Sequence, residues 1–164
     1  MAAAVERMFD GIRVSRLDWP IVVTEFPERR VPDGALHAML DHLADLLKEA
    51  AGRREKIFFV TDLTLMREIT PANQRKFTAQ WIARNTQLSQ SVSLGAAQVT
   101  PSAILRGIFT AVYWIHPPPM PSTFVATRRE AMILGVQALD AAGQLLPPRL
   151  MAFREVSRAA SGGG

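Results

Sequence analysis

Lys56-Ile-Phe-Phe-Val-Thr61 is an unbroken run of β-formers. A run without polar alternation belongs to a strand buried on both faces of a largely parallel sheet. Residues 56–61 therefore belong in the middle of a sheet, with helices required above and below.

Upstream, Gly11-Ile-Arg-Val-Ser-Arg-Leu17 alternates apolar and polar residues, Asp18-Trp19-Pro20 interrupts, and Ile21-Val-Val-Thr24 resumes the β pattern, which predicts a hairpin. Pro27, Pro32 and Gly34 bracket a loop, with Asp33 placed to cap the following helix. From about Asp33 to Ala51, Leu36, Met39, Leu40, Leu43, Leu46, Leu47 and Ala50 recur at helical spacing, and Gly52 reads as the stop.

Downstream, Thr70-Pro71 has the form of a helix start, with Phe77, Trp81 and Leu88 along one stripe. Val92 to Val99, with Gly95 at its centre, suits an interior strand closely approached by a helix. Thr100-Pro101 repeats the start signal ahead of Ile104, Leu105, Ile108, Phe109, Val112 and Ile115, and Pro117-Pro-Pro-Met-Pro121 ends that helix. Thr123-Phe-Val-Ala126 reads as a last strand, and Thr127-Arg-Arg-Glu130 as a capping box opening a helix to about Ala142.

The predicted order, β β α β α β α β α, gives one α/β domain over 1–144. Its sheet is mixed but mostly parallel, with four to five strands and about four helices. Residues 145–164 form a short extension ending in the flexible Ser161-Gly-Gly-Gly164.

A chain of 164 residues, 48% hydrophobic and 21% charged, can bury one core. The net charge of +4 invites a nucleic-acid reading, but Arg29-Arg30, Arg53-Arg54 and Arg128-Arg129 are dispersed pairs rather than a cluster, so no specific nucleic-acid partner is expected. Absence of cysteine excludes disulfides and thiolate chemistry. Glu6-Arg7 interrupts any signal-like start, and the longest apolar stretch, Ile104 to Ile115, is too short to span a bilayer and contains Arg106. A cytoplasmic location is the resulting expectation.

From Ile12 to Ala142 the chain resembles the STAS and SEC14-like domains, which include the anti-anti-sigma regulators. The resemblance rests on element order, on Phe59-Val-Thr-Asp-Leu63, on the long connection into Thr70-Pro71, on Pro101-Ser-Ala-Ile-Leu-Arg-Gly107 and on Thr123-Phe-Val-Ala-Thr127. It implies a four- or five-stranded mixed sheet and a regulatory, protein-binding role without catalysis. In those regulators a phosphorylatable Ser or Thr opens the helix after the third strand. The corresponding turn here is Met66-Arg-Glu-Ile-Thr-Pro-Ala-Asn73, in which Thr70 stands for the hydroxyl while the neighbouring Asp and Gly are missing.

Other candidate chemistry reads first as structure. His37 and His42 occupy the polar side of the Leu-rich helix as surface residues, and His116 ends a helix. Asp41 and Asp45 share a face but have no apolar surroundings to raise a pKa. No phosphate-binding glycine fingerprint or serine elbow occurs, and no cofactor, metal or enzymatic activity is expected.

The sequence therefore points to a binding or regulatory module whose partner is a protein or a second copy of itself. The alternative is a small apolar ligand or lipid held between helices and sheet. Contact is expected first through Asp62, Thr64, Arg67, Thr70 and Arg75, and second through Arg106, Tyr113 and Trp114, an Arg-aromatic helix face of the kind enriched at interface centres.

Overall fold

The structure, a computed structural model, describes residues 5–68, 70–115 and 117–161, without the side chains of 108, 109, 112, 113, 115 and 161. Its strands are β1 (Glu6–Phe9), β2 (Ile12–Ser15), β3 (Ile21–Glu25), β4 (Ile57–Asp62), β5 (Ser93–Val99) and β6 (Ser122–Val125). Its helices are α1 (Asp33–Arg53), α2 (Ala72–Val92), α3 (Ala103–Ile115), α4 (Arg128–Ala141) and α5 (Met151–Ser161), the last preceded by a 3-10 turn at Pro148–Leu150. The strands lie in sequence order in one six-stranded sheet, β1–β2–β3 antiparallel and β3–β4–β5–β6 parallel.

The α/β class and the central place of residues 57–62 match the sequence reading, and the strand and helix counts exceed it. The additional strand is β1, joined to β2 by Asp10-Gly11 with φ values of 46° and 96°. A two-residue Asp-Gly connection between β-formers is the strongest short-range hairpin signal. The helix beyond the expected four is α5. Leu150 is fully buried in the core shared by β3, β4, β5 and α4, and Phe153 packs against it. The tail at 162–164 lies outside the described residues.

Alternation along the strands divides the interior. Ile21, Val23, Phe58, Val60, Ala97, Val99 and Val125 face α4, whereas Val22 with Ile12 and Val14 faces α1. Ile57 packs with Leu47, Ala50 and Val92 of α1 and α2, so β4 is covered on both sides. That arrangement is the reason residues 56–61 carry no polar alternation.

Helix ends differ from their sequence signals. Gly52 lies within α1, which continues to Arg53, and Arg54 takes the left-handed conformation (φ 58°) while its N–H bonds Ala51 O. Asp33 and Thr70 do not cap. Pro32 and Pro71 hold the N-cap positions of α1 and α2 without a side-chain bond. Before α3 the acceptor is Ser102 Oγ, 3.2 Å from Leu105 N, rather than Thr100. The Thr127 box forms as expected. Thr127 Oγ1 accepts from Glu130 N at 3.2 Å, and Glu130 Oε2 accepts from Ala126 N at 3.0 Å.

Gly95 is approached closely, but not by a helix. A Cβ there would lie 2.8 Å from Pro121 O, a carbonyl already fixed by the Ala96 N–H at 2.8 Å. The helix contact is made by Gly135 of α4, whose added Cβ would meet Ile21 Cδ1 and Phe58 Cδ1 at 2.9 Å. Gly135→Ala is therefore expected to cost about 1–3 kcal/mol as an overpacked core. Gly95→Ala should cost more, because φ of 151° strains any side chain and the obstacle is backbone. Urea melts of the two variants check the order.

Candidate functional site

The parallel strands end in register at Glu25, Asp62, Val99 and Val125. In open α/β sheets ligands and partners meet the carboxyl ends of the strands. Backbone bonds continue the ladder past those ends, from Phe26 N to Asp62 O at 3.1 Å, Leu63 N to Val99 O at 2.9 Å and Thr100 N to Val125 O at 2.9 Å. The loops that leave this edge start from a fixed base.

The charges at the edge are mutually engaged. Glu25 accepts from Arg128 of α4 on one oxygen and from Arg13 of β2 on the other. Asp62 places Oδ2 4.0 Å from Arg128 and accepts from Thr64 N through Oδ1 at 3.0 Å. Neither Glu25 nor Arg128 was singled out from sequence, because their contact joins residues 103 positions apart.

Above this base run residues 63–68 and 70–71. Thr64, Leu65 and Arg67 are exposed, and Arg67 makes only a loose pair with Glu28 at 3.4 Å. Arg75 Nη1 donates to Thr70 O at 2.6 Å, folding the start of α2 back over the loop. The far end of the loop is held by Asp33, which accepts from Asn73 Nδ2 and Gln74 Nε2, both at 2.8 Å. Buried Gln74 also donates to Val31 O at 2.9 Å. Asp33 thus ties the starts of α1 and α2 together, a tertiary role in place of the local cap.

The structure brings Asp62, Thr64, Arg67, Thr70 and Arg75 to one edge and adds Arg106 to them. Arg106 Nη1 donates to Thr100 O and Pro101 O at 2.8 and 2.9 Å, anchoring the first turn of α3. Trp114 lies eight residues further along, about 12 Å away by helical rise, so Arg106 and Trp114 do not share a patch. The Tyr113 side chain lies outside the described residues. Trp114 is 84% exposed and borders an open cleft of about 580 Å³ lined by Thr110, Pro117–Pro121 and Ser122–Phe124. Of the aliphatic residues that α3 carries, Ile104 is 77% exposed and Leu105 is also exposed.

His37 and His42 are not simple surface residues. His37 stacks on Phe77 with ring centroids 3.5 Å apart, filling the α1–α2 interface. His42 Nδ1 lies 3.4 Å from Arg7 Nη1, and its ring is 5.6 Å from Phe9, joining α1 to the edge strand β1. His116 lies outside the described residues. Asp45 pairs with Lys48 at 3.2 Å, and Asp41 is exposed. Among the described residues no group of His, Asp and Glu is placed to hold a metal ion, and no helix is long and apolar enough to cross a membrane.

No protein-family model and no curated protein matches the chain. Among solved structures it is similar to an uncharacterised protein of the DUF3478 family from Shewanella loihica PV-4, described as having a SpoIIAA-like fold. The TM-score is 0.54 at 13% identity, over 82% of this chain and 98% of that one. The fold is therefore SpoIIAA-like, the α/β fold of the STAS anti-anti-sigma domains.

Two stability measurements follow from these contacts. Thr127→Ala should cost about 1 kcal/mol through loss of its cap, whereas Thr70→Ala should stay within about 0.5 kcal/mol because its hydroxyl caps nothing; chemical melts compare them. In pH titrations, Glu49 and His42 act in separate windows. Hydrogen bonding from Arg16 at 2.6 and 2.7 Å is the main cause holding the Glu49 carboxyl below its ordinary range. Its contribution is full above about pH 4.3 and is lost as pH falls through the folded value. Burial first, then the charge of Arg7, lowers His42. The unfolded chain thus protonates this group first, and stability falls as pH drops below about 6.5 toward the folded value. His42→Gln should flatten the upper window and Glu49→Gln the lower.

Proposed function

We propose that the protein is a non-catalytic binding module of regulatory type, which meets a protein partner through the loop and helix start from Asp62 to Arg75. One observation carries this reading. A loop that exposes Leu65, Arg67 and Glu68 stands on a base whose own charges, Glu25, Asp62, Arg13 and Arg128, are bonded to each other. A base of that kind presents the loop without competing for its groups, and preorganised loops lose less entropy on binding. The likeness in fold to a SpoIIAA-like protein supports a binding or regulatory class and says nothing of the partner.

The cleft beside Trp114 favours a second reading, in which a small apolar ligand or lipid is held there. Affinity capture and native mass spectrometry of the same preparation separate the two. On the first reading, the captured protein is lost with Leu65→Asp or Arg67→Glu and retained with Thr123→Ala at the opposite end of the strands. On the second, the purified chain carries an added lipid-sized mass that Trp114→Ala removes. Retention of every captured protein by both loop variants rejects the loop as the contact surface.

A further inference from the structure

Of the large apolar side chains among the described residues, Trp114 and Ile104 are, with Leu145, the most exposed, at 84% and 77%. Both stand on α3. At 3.6 residues per turn they share one stripe, about 120° wide, with Ala103, Gly107, Thr110 and Ala111, every one of them exposed. The stripe carries no charge, because Arg106, the one charged residue of α3, turns its guanidinium back to Thr100 O and Pro101 O. Thr110, the one polar side chain of the stripe, donates its hydroxyl to Arg106 O at 2.8 Å. Single exposed apolar residues are ordinary, whereas a continuous stripe whose polar groups are already satisfied marks a contact surface.

Gly107 sits in the middle of that stripe, and a Cβ there would meet nothing within 4 Å. No contact inside the chain excludes a larger residue, and glycine weakens a helix relative to alanine. Close approach of a second backbone gives this glycine a use that the fold itself does not. The order of residues says which backbone. Trp114 and Ile104 lie at equal separations either side of position 109, and so do Ala111 and Gly107. Two copies of α3 packed antiparallel about a two-fold axis at 109 therefore set Trp114 against Ile104 of the other copy at each end. In the middle Gly107 faces Ala111, and small residues there let the helix axes approach to about 8 Å. A contact between identical surfaces requires this self-complementarity. Ile104 of the second copy then enters the open cleft of about 580 Å³ beside Trp114.

The area available matches such a contact. The accessible surface is 9509 Å², against about 8,100 Å² for a monomeric protein of 18.1 kDa. Counting residues 1–4 and 162–164 as bare chain still leaves an excess of about 800 Å², the share each partner gives to an interface of standard size. A charged partner would find no opposite charge on the stripe, and an anionic bilayer would draw on surface cations that the stripe does not present. We infer that the exposed stripe of α3 is a homodimer interface, in which two copies of the chain pack α3 against α3 in antiparallel fashion. None of its residues belongs to the loop assigned above to a protein partner.

Sedimentation velocity of the full chain over a concentration series tests the interface. The chain should run as a dimer that dissociates on dilution. Gly107→Leu, whose side chain has room in the isolated chain, and Trp114→Ala should each weaken the dimer by about tenfold or more, while circular dichroism shows both variants folded. Leu65→Asp and Arg67→Glu should leave it intact. Because the chain lacks cysteine, cross-linking reads the register. Oxidised together, Ile104→Cys and Trp114→Cys chains should give the mixed disulfide dimer, and neither variant alone should cross-link, since only the 104–114 pairing comes within disulfide reach. A chain that is monomeric at every concentration, a dimer indifferent to Gly107→Leu, or failure of the mixed cross-link overturns the inference. Capture of a monomeric chain by phosphatidylglycerol vesicles overturns it in favour of a bilayer.

Discussion

Phe58 lies within contact distance of the Cβ positions of both Gly95 and Gly135, so β4, β5 and α4 close on one aromatic ring. A side chain at Gly95 would push against the Pro121 backbone, and one at Gly135 would crowd the Phe58 ring and Ile21 in an interior packed to crystal-like density. The consequence reaches the edge of the sheet. With α4 seated closely over β4, its first residue, Arg128, reaches Glu25 and approaches Asp62 at the strand ends. The central apolar strand thereby sets both the core and the placement of the charges beneath the candidate contact loop.

Local and tertiary signals differed in how far the sequence could be followed. Residues 56–61 were legible because burial on both faces leaves a continuous apolar run, and the Thr127 box because all its bonds fall within four residues. The β1 hairpin was equally local, its Asp10-Gly11 pair standing in plain view. By contrast, Asp33 has the composition of a cap and spends its carboxylate on Asn73 and Gln74, some forty residues away. Nothing in the spacing around Asp33 distinguishes those two uses, since a short side chain with an acceptor oxygen at a helix start serves both a cap and a cross-helix acceptor.

The candidate site divides in the same manner. The loop from Asp62 to Arg75 was singled out because the STAS resemblance places a regulatory turn there, and the structure sets its start at the carboxyl ends of the strands. Arg106 and Trp114 were placed together by helical spacing, which gives direction around the axis but ignores the length between them. Arg106 turns back to two carbonyls at one end of α3, while Trp114 stands free at the other.

A distinction between used and unused groups organises the surface more sharply than net charge. A charge of +4 on 164 residues is modest, whereas α3 turns Ile104 and Trp114 outward. Leaving large apolar residues uncovered forgoes burial worth roughly 1.5–3 kcal/mol for each one of that size. Folding alone gives no reason to keep Ile104 and Trp114 at the surface while Leu150, from the far end of the chain, is drawn fully inside. The internal contacts account for Arg13, Arg16, Glu25, Glu49 and Asp33, and they leave Leu65, Ile104 and Trp114 uncovered.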